Sequence, residues 1–439
     1  MRKRIGVFAW IFAACILIFG GCASTHQSTT EGVAQQASAG SSLSPGVSLL
    51  GFAKRSLMFE EVEKLVLRDS YYLPKDAGQK RRVFSTCMDR YKNAGTDDPT
   101  RTNELTEALN ACNAEDKWDA YFSPDAWQDF QIGMGTSFGG IGVEIGWDGN
   151  KTGLLISNIL PGSPLEQLQV HVGDVIRSIR QENETDPVCV EGRELKDLIR
   201  LIRGPIGTKV FLEIWRGQEC IGTFSVERQE VDPRHIVTKT FNNGTVGYIQ
   251  FSGFEQDLFR EKIRPAIESF IASGVRKIIF DVRGNPGGLI EEPLYLSVGF
   301  MEPRAMMLSV CRRDSCKNYI APEGRALFRD VAVVILIDKK SASASELFAG
   351  IMKTHRKAFL IGETTYGKGC VQVVETLYSS PGSAVKITTA LFYFDLAHTI
   401  TPEGNGVAPD LMVINNDPGR DAQLEAALEY FRLMERNGH

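Results

Sequence analysis

The sequence predicts a multidomain α/β protein, with a helical N-terminal segment and a β-rich module in front of an α/β core. Three observations support this prediction: a length of 439 residues, helical spacing of apolar residues before residue 130, and strands that alternate with helices after residue 231. A chain of this length usually folds into about two to four domains. The composition, 43% hydrophobic and 23% charged, is typical of globular domains with sizeable cores.

The charge balance argues against nucleic acid as a partner. The chain carries 49 basic and 54 acidic residues, a formal net charge of -5. Arg2, Lys3 and Arg4 lie in the first 21 residues, which contain no acid, so the remainder is more acidic still. Proteins that bind nucleic acid show a basic excess or a basic stripe instead.

Residues 1–21 have the layout of a secretory signal peptide. Arg2–Arg4 supply a basic start, and the apolar stretch from Ile5 to Phe19 is shorter than the ~20 residues that cross a bilayer. Two glycines then lead directly into Cys22. The sequence therefore predicts export from the cytoplasm rather than a spanning helix.

This layout resembles a bacterial lipoprotein signal, which implies cleavage after residue 21, lipid on Cys22 and a periplasm-facing chain anchored to the membrane of the cell envelope. Phe19 departs from the pattern, because an aliphatic residue is usual there, so ordinary secretion stays an alternative. Ala23 stands where an inner-membrane retention signal has Asp, which favours the outer membrane. Residues 22–50 are small and polar, and we expect a flexible tether there.

Cysteine spacing predicts disulfides if the compartment is oxidising. Six cysteines form near pairs, although connectivity cannot be deduced from sequence alone: Cys87/Cys112, Cys189/Cys220 and Cys311/Cys316. Cys370 is predicted to be a buried free thiol. No metal site is predicted, because the closest cysteine pair has no further ligands at suitable spacing.

Residues 51–132 are predicted to form an N-terminal helical region. Phe59, Val62 and Val66 recur at helical spacing, and Ser123-Pro124 is a helix-start signal. We expect this region to pack on the rest of the chain or on a second copy.

Residues 133–230 form the β-rich module, with short predicted strands between Gly and Pro turns and one amphipathic helix at Arg193–Arg203. Its sequence resembles a PDZ domain in three ordered segments: Phe138-Gly139-Gly140-Ile141-Gly142-Val143, Pro161-Gly162-Ser163-Pro164-Leu165 and Val172-Gly173-Asp174-Val175-Ile176. A PDZ domain binds a C-terminal peptide by converging loop N–H groups on its carboxylate and adding the peptide to a strand edge. A module that only packs internally is the alternative. The peptide-binding residues implied are Gly140, Ile141, Gly142, Val143, Leu195 and Ile199.

Residues 231–418 are predicted to form the α/β core, followed by a C-terminal helix in residues 419–439. Three apolar strands of this core each end in a loop of small residues: Lys277–Val282 before 283–288, Val331–Ile337 before 338–345, and Ala358–Ile361 before 362–369. Functional sites gather at strand ends of α/β sheets. We therefore expect the three loops to form one site.

Ser343 and Lys368 are the residues of these loops best suited to nucleophilic chemistry. A serine hydroxyl needs a base, and neither segment contains a histidine. A lysine can take the proton if burial lowers its pKa from ~10.4 towards neutrality, which arginine cannot do. The pair therefore predicts a hydrolase in which an amine replaces histidine.

Three motifs behind a PDZ-like module resemble the C-terminal processing, or tail-specific, serine peptidases: Asp281-Val282-Arg283-Gly284-Asn285-Pro286-Gly287-Gly288, Ser341-Ala342-Ser343-Ala344-Ser345-Glu346 and Tyr366-Gly367-Lys368-Gly369-Cys370-Val371-Gln372. The resemblance covers roughly Phe59 to Leu428. It implies a dyad of Ser343 and Lys368, with Gln372 aiming the lysine. It also implies a serine endopeptidase without cofactors that acts on proteins with exposed C-terminal tails.

The same resemblance selects among neighbouring residues. Its spacing favours Ser343 over Ser341 and Ser345, and Ser341 is expected to cap the helix that runs through Met352. The expected oxyanion donors are the N–H of Ala344 and one from Gly287 or Gly288, each worth ~3 kcal/mol of barrier. Glu346 is expected mainly to stabilise the helix N-terminus.

Two other functions are compatible with parts of the sequence. One is an inactive PDZ adaptor that binds protein tails without cutting them. The other, a metallopeptidase, lacks a His-Glu-x-x-His motif among the six histidines. Analogy with the family further suggests a homodimer, formed through the N-terminal and C-terminal helices, and an adaptor protein as a partner.

Overall fold

The structure, a computed structural model, describes residues 49–73, 77–93, 104–160, 162–417 and 419–436. The predicted signal peptide, the lipidated Cys22 and almost all of the predicted tether lie outside these residues. Within these ranges, no helix has both the length and the apolar character that crossing a bilayer requires.

Helices dominate the segment before residue 134, whose elements are α1 (Leu49–Asp69), α2 (Gly78–Asn93), α3 (Glu104–Cys112), β1 (Ala120–Phe122) and α4 (Pro124–Gly133). Phe59, Val62 and Val66 share one face of α1 and are buried in a cluster with core residues that include Ile387. A disulfide joins α2 to α3 through Cys87 and Cys112, as predicted. Ser123 caps α4 by accepting from Ala126 N (3.3 Å).

The next segment contains strands and one α-helix: β2 (Phe138–Gly140), β3 (Val143–Trp147), β4 (Leu154–Ile159), β5 (Val175–Gln181), β6 (Val188–Cys189), α5 (Leu195–Ile202), β7 (Lys209–Arg216), β8 (Glu219–Glu227) and β9 (Gln229–Val231). One sheet has the strand order β3-β4-β5-β7-β8, with β6 also paired to β5, and β2 pairs with β9 separately. Leu198 and Ile202 of α5 are buried in the core of this sheet. Within the described residues β3 pairs with β4 alone, so β3 is an edge strand.

The predicted disulfide between Cys189 and Cys220 is wrong: both thiols are free and exposed. Cys189 lies on β6 and Cys220 on β8, and the strands β5 and β7 lie between them. Three strand spacings of ~4.8 Å separate the two cysteines by about 14 Å, whereas a disulfide needs Cα atoms within ~7 Å.

The core follows, and its elements in chain order are β10 (Ile236–Phe241), β11 (Val246–Phe251), a π-helical turn (Phe259–Ile263), α6 (Arg264–Ala272), β12 (Lys277–Asp281), α7 (Glu291–Val298), β13 (Met306–Cys311), β14 (Cys316–Ile320), β15 (Ala332–Ile337), α8 (Ala344–Thr354), β16 (Ala358–Gly362), β17 (Cys370–Thr376), β18 (Ala384–Tyr393), β19 (Leu411–Met412) and α9 (Ala422–Arg436). The main sheet has the order β10-β11-β12-β15-β16-β19, and all pairs except β10–β11 are parallel. Strands of a parallel sheet that is covered by helices on both faces have continuous apolar sequences, and β15 is an example. The carboxyl ends of β12, β15 and β16 therefore lie side by side.

A second core sheet has the order β1-β18-β13-β14, with β17 also paired to β18. Strand β1 was not predicted, since residues 51–132 were expected to be helical; it pairs antiparallel with β18, from Ala120↔Lys386 to Phe122↔Ala384. The N-terminal segment thus contributes a strand to the core. Cys311 and Cys316 form the predicted disulfide across β13 and β14, and His398 Nε2 lies 3.4 Å from Cys311 Sγ.

Candidate functional site

Ser343 lies in the turn that joins β15 to α8. It is the N-cap of α8 and has φ 54° and ψ -112°, a strained conformation for a residue with a Cβ atom. The prediction that Ser341 caps this helix is wrong. The Ser341 hydroxyl donates to Val282 O (2.7 Å) and accepts from Asp338 N (3.0 Å), so it ties the turn to the end of β12.

The glycine loop after β12 lies directly against this turn. Asn285 O accepts from Ala342 N (3.0 Å) and from Ser345 Oγ (2.9 Å), which joins the two loops. Gly287 has φ +105°, and a Cβ atom there would lie 2.7 Å from Ala342 O and 2.8 Å from Ala344 N. Only glycine permits this approach.

Of the predicted oxyanion donors, the N–H of Gly287 already donates to Asn285 Oδ1 (2.9 Å), so Gly288 and Ala344 are the candidates that remain. Ala344 is the first residue of α8, so its N–H has no acceptor within the helix and carries the positive end of the helix dipole. Gly288 (φ +152°) packs against the backbone of Phe254, whose N–H donates to Gly287 O (2.9 Å). These contacts fix the loop beside the predicted nucleophile.

Lys368 lies in the loop between β16 and β17 and is half-buried. Its Nζ donates to Gln372 Oε1 (2.8 Å) and lies 4.9 Å from the centre of the Trp118 ring. Gln372 Nε2 donates in turn to Trp118 O (2.8 Å). The amide oxygen of Gln372 thus faces the lysine, and the indole covers one side of the amine.

The fully buried carboxylate of Glu346 connects the serine and lysine loops. Its Oε2 accepts from Ser343 N (2.8 Å) and from Lys368 N (2.8 Å). Its Oε1 accepts from Thr365 Oγ1 (2.6 Å) and Gly367 N (2.7 Å). Glu346 therefore does more than the predicted stabilisation of the helix N-terminus, because one side chain sets the spacing of the two loops.

A second amine, Lys386 on β18, lies near Lys368. Burial lowers the pKa of Lys386 to about 8, and the charge of Lys368 contributes to the shift. Cys370 is a buried free thiol, as predicted, and burial raises its pKa to about 12, so it is protonated at neutral pH.

Glu255 is a buried carboxyl beside the glycine loop, next to Phe254 and 6% exposed. Burial raises its pKa to about 7, with Glu292 and Asp232 adding to the increase. Because this pKa exceeds its ordinary value of 4.5, the folded state binds a proton more tightly than the unfolded state. The stabilisation is therefore complete below pH ~4.5 and is lost as pH rises through ~7.

The Glu255→Gln variant lacks this proton linkage. Between pH 5 and pH 8, the free energy of unfolding of the wild type should fall relative to that of the variant by about 2–3 kcal/mol. Urea denaturation at the two pH values measures the difference, with Glu268→Gln on the exposed face of α6 as the control. Equal pH dependence in the wild type and Glu255→Gln would contradict this assignment.

Sequence reasoning did not identify Trp118, although it lies within the stretch that resembles the family. Trp118 precedes β1, and the pairing of β1 with β18 carries it to Lys368 and Gln372. The residues predicted for peptide binding lie elsewhere. Gly140–Val143 leads into the edge strand β3, and Leu195 and Ile199 are half-buried on α5.

Comparison with known proteins gives a consistent picture. Residues 245–413 match the model of peptidase family S41. The chain is 28% identical over 334 residues to a probable CtpA-like serine protease of Staphylococcus saprophyticus, covering 75% of this chain and 64% of that protein. It is 28% identical over 375 residues to the chloroplastic carboxyl-terminal-processing peptidase 2 of Arabidopsis thaliana, covering 82% of this chain and 69% of that one.

The chain thus spans slightly less than two thirds of the staphylococcal relative's length. Among solved structures, the tricorn protease superposes with a TM-score of 0.51 at 16% identity, covering 88% of this chain and 37% of that one. At this identity the likeness concerns the fold alone.

Proposed function

We propose that this chain, whose residues 245–413 match the model of peptidase family S41, is a serine endopeptidase that cleaves proteins bearing unstructured C-terminal tails. The observation that carries this proposal is the Glu346 carboxylate, whose Oε2 accepts from the backbone N–H groups of both Ser343 and Lys368 (2.8 Å each). This contact holds a hydroxyl and an amine on adjacent loops, as acyl transfer without histidine requires.

The reaction proceeds through an acyl-enzyme. Ser343 Oγ attacks the scissile carbonyl carbon while Lys368 Nζ, aimed by Gln372, takes the hydroxyl proton. The N–H of Ala344 and one from the Gly287–Gly288 loop stabilise the oxyanion. Collapse of the intermediate breaks the peptide C–N bond, and the lysine returns its proton to the leaving amine. Water, deprotonated by the same amine, then hydrolyses the ester and restores the serine.

Tail binding is assigned to residues 133–230, acting as a PDZ-type domain. The edge strand β3 can accept an extended peptide by β-addition, and the turn at Gly142 (φ +64°) precedes it. Leu195 and Ile199 on α5 are partly exposed, as a pocket for the terminal side chain requires. Backbone N–H groups of the 140–143 loop would receive the carboxylate.

The cellular setting is proposed from the sequence. Lipid on Cys22 would anchor the chain, facing the periplasm, to the cell envelope, with the outer membrane favoured over the inner. Substrates would then be envelope proteins with loose tails. A homodimer through the N-terminal helices and α9, and an adaptor protein, belong to the same proposal by family analogy.

A fluorogenic peptide with an unstructured tail tests the function directly. A free C-terminal carboxylate should give a kcat/KM about tenfold higher than the C-terminal amide, mainly through KM, because a charge-assisted contact is lost in the amide. Ser343→Ala should cleave neither peptide.

Two variants on α5 separate tail capture from chemistry. Ile199→Glu should abolish the preference for the free carboxylate, whereas Lys196→Glu, at an exposed neighbouring position, should retain it. Equal cleavage of both peptides by the wild type would reject tail capture. Cleavage that survives in Ser343→Ala would reject the serine mechanism.

A further inference from the structure

A chain of hydrogen bonds connects Gln372 through Thr388 to Asp116. Besides its bond to Trp118 O, Gln372 Nε2 donates to Thr388 Oγ1 (3.4 Å). The Thr388 hydroxyl donates to Asp116 Oδ1 (3.2 Å). Because the Thr388 hydroxyl gives its one proton to Asp116, a lone pair is left to accept from the amide nitrogen of Gln372.

Two aspartates position both acceptors of the Gln372 amide nitrogen, which are Trp118 O and Thr388 Oγ1. Asp116 Oδ1 also accepts from Trp118 N (2.9 Å). Asp119 Oδ1 accepts from Thr388 N (2.7 Å). The position of Trp118 O and that of Thr388 Oγ1 therefore depend on one buried pair of carboxyl groups.

The carboxyl pair itself lacks a donor. Asp116 and Asp119 are 0% and 2% exposed, and their side chains lie within hydrogen-bonding reach of each other. Among the described residues, neither Asp116 Oδ2 nor Asp119 Oδ2 has a hydrogen-bond partner. Burial raises the pKa of Asp119, and the charge of Asp116 raises it further, while Lys386 and the Thr388 N–H oppose the shift. One proton held between the two groups would satisfy both oxygens.

We propose that Asp116 and Asp119 are positioning residues that share one proton and, through Trp118 and Thr388, fix Gln372 with its carbonyl oxygen towards Lys368. The inference rests on the proposed function, in which Lys368 is the general base. If the Gln372 amide turned over, its NH2 group would face the lysine amine, and the amine would lose the acceptor that aims it.

The shared proton gives a specific pattern among amide variants. In Asp116→Asn or Asp119→Asn, the new NH2 group supplies the donor that the proton supplies in the wild type, and the net charge of the pair is unchanged. In the double variant both residues bring an NH2 group, so one donor has no acceptor. Each single variant should therefore resemble the wild type, and the double variant should not.

The test measures kcat and KM on the free-carboxylate peptide. We expect kcat within about threefold of the wild type for each single Asn variant, and a loss of about tenfold or more, at nearly unchanged KM, for the double variant. Thr388→Val should lose kcat similarly, and Thr388→Ser should restore it. Thr389→Val, at the next position of β18 and outside this chain of hydrogen bonds, is the matched control and should keep wild-type kcat.

Thermal melting tests for the shared proton without any substrate. The Tm of the double variant should fall by more than the sum of the changes in the two single variants. Additive melting together with wild-type kcat in the double variant or in Thr388→Val would overturn the inference. If the double variant does not fold, Thr388→Val and its serine rescue decide. If the wild type showed no cleavage that depends on Ser343, the proposed function would be rejected instead. Melting of the wild type, the two single Asn variants and the double variant would still test the shared proton.

Discussion

Replacing Ser343 by Ala should lower kcat/KM on a tail-bearing peptide by at least about 10⁴-fold, and Lys368→Ala should do the same. The serine is a poor nucleophile without a base, and the amine has no proton to take without the serine. Because the proposed mechanism makes the two act as one unit, the double variant should be no slower than either single variant. Steady-state kinetics of the three variants measures the residual kcat/KM.

Three controls test whether the loss of activity comes from the loss of the nucleophile and its base. Lys368→Arg should also be inactive, since arginine stays protonated and cannot act as a base. Lys340→Ala removes an exposed lysine from the Ser343 loop and should keep wild-type activity. Binding of a labelled tail to Ser343→Ala should match the wild type by fluorescence anisotropy. Residual activity above about 1% in Lys368→Ala would contradict the assignment of the base.

The second large effect is expected at Glu346, which is fully buried and accepts four hydrogen bonds. In Glu346→Gln, an NH2 group replaces one oxygen and must face two donors, either Ser343 N and Lys368 N or Thr365 Oγ1 and Gly367 N. We expect kcat to fall by about 10²–10³-fold and the free energy of unfolding to fall by about 2–4 kcal/mol.

Glu363→Gln, a half-buried acid in the same loop as Lys368, is the matched control and should change neither quantity greatly. Circular dichroism at the assay temperature separates misplacement from unfolding. A folded Glu346→Gln protein with wild-type kcat would show that the shared carboxylate does not govern the spacing of the loops.

The approach of the three core loops could be predicted because it follows from local pattern. Apolar strands that end in small residues and alternate with helices imply parallel neighbours, and β12, β15 and β16 are adjacent as that reasoning requires. Ser343 was selected from three serines by family spacing. Composition alone could not separate it from Ser341, whose hydroxyl is used to anchor the turn.

Contacts between distant segments could not be predicted in the same way. Nothing in the local sequence around Trp118 indicates that β1 pairs with β18, or that Asp116 meets Thr388. The same limit explains the failed Cys189–Cys220 pairing, because closeness in sequence does not reveal the strands that lie between. Glu346 was placed on the correct helix, but three of its four donors come from the distant loop that carries Lys368.

The pairing of β1 with β18 also makes the support of Gln372 depend on two segments far apart in the chain. Trp118, whose carbonyl oxygen accepts from Gln372 Nε2, lies 254 positions before Gln372. Contacts between such distant segments are slow to form, because the long loop between them must first be closed. A folding chain can therefore bring Ser343 and Lys368 together before Gln372 gains its full support.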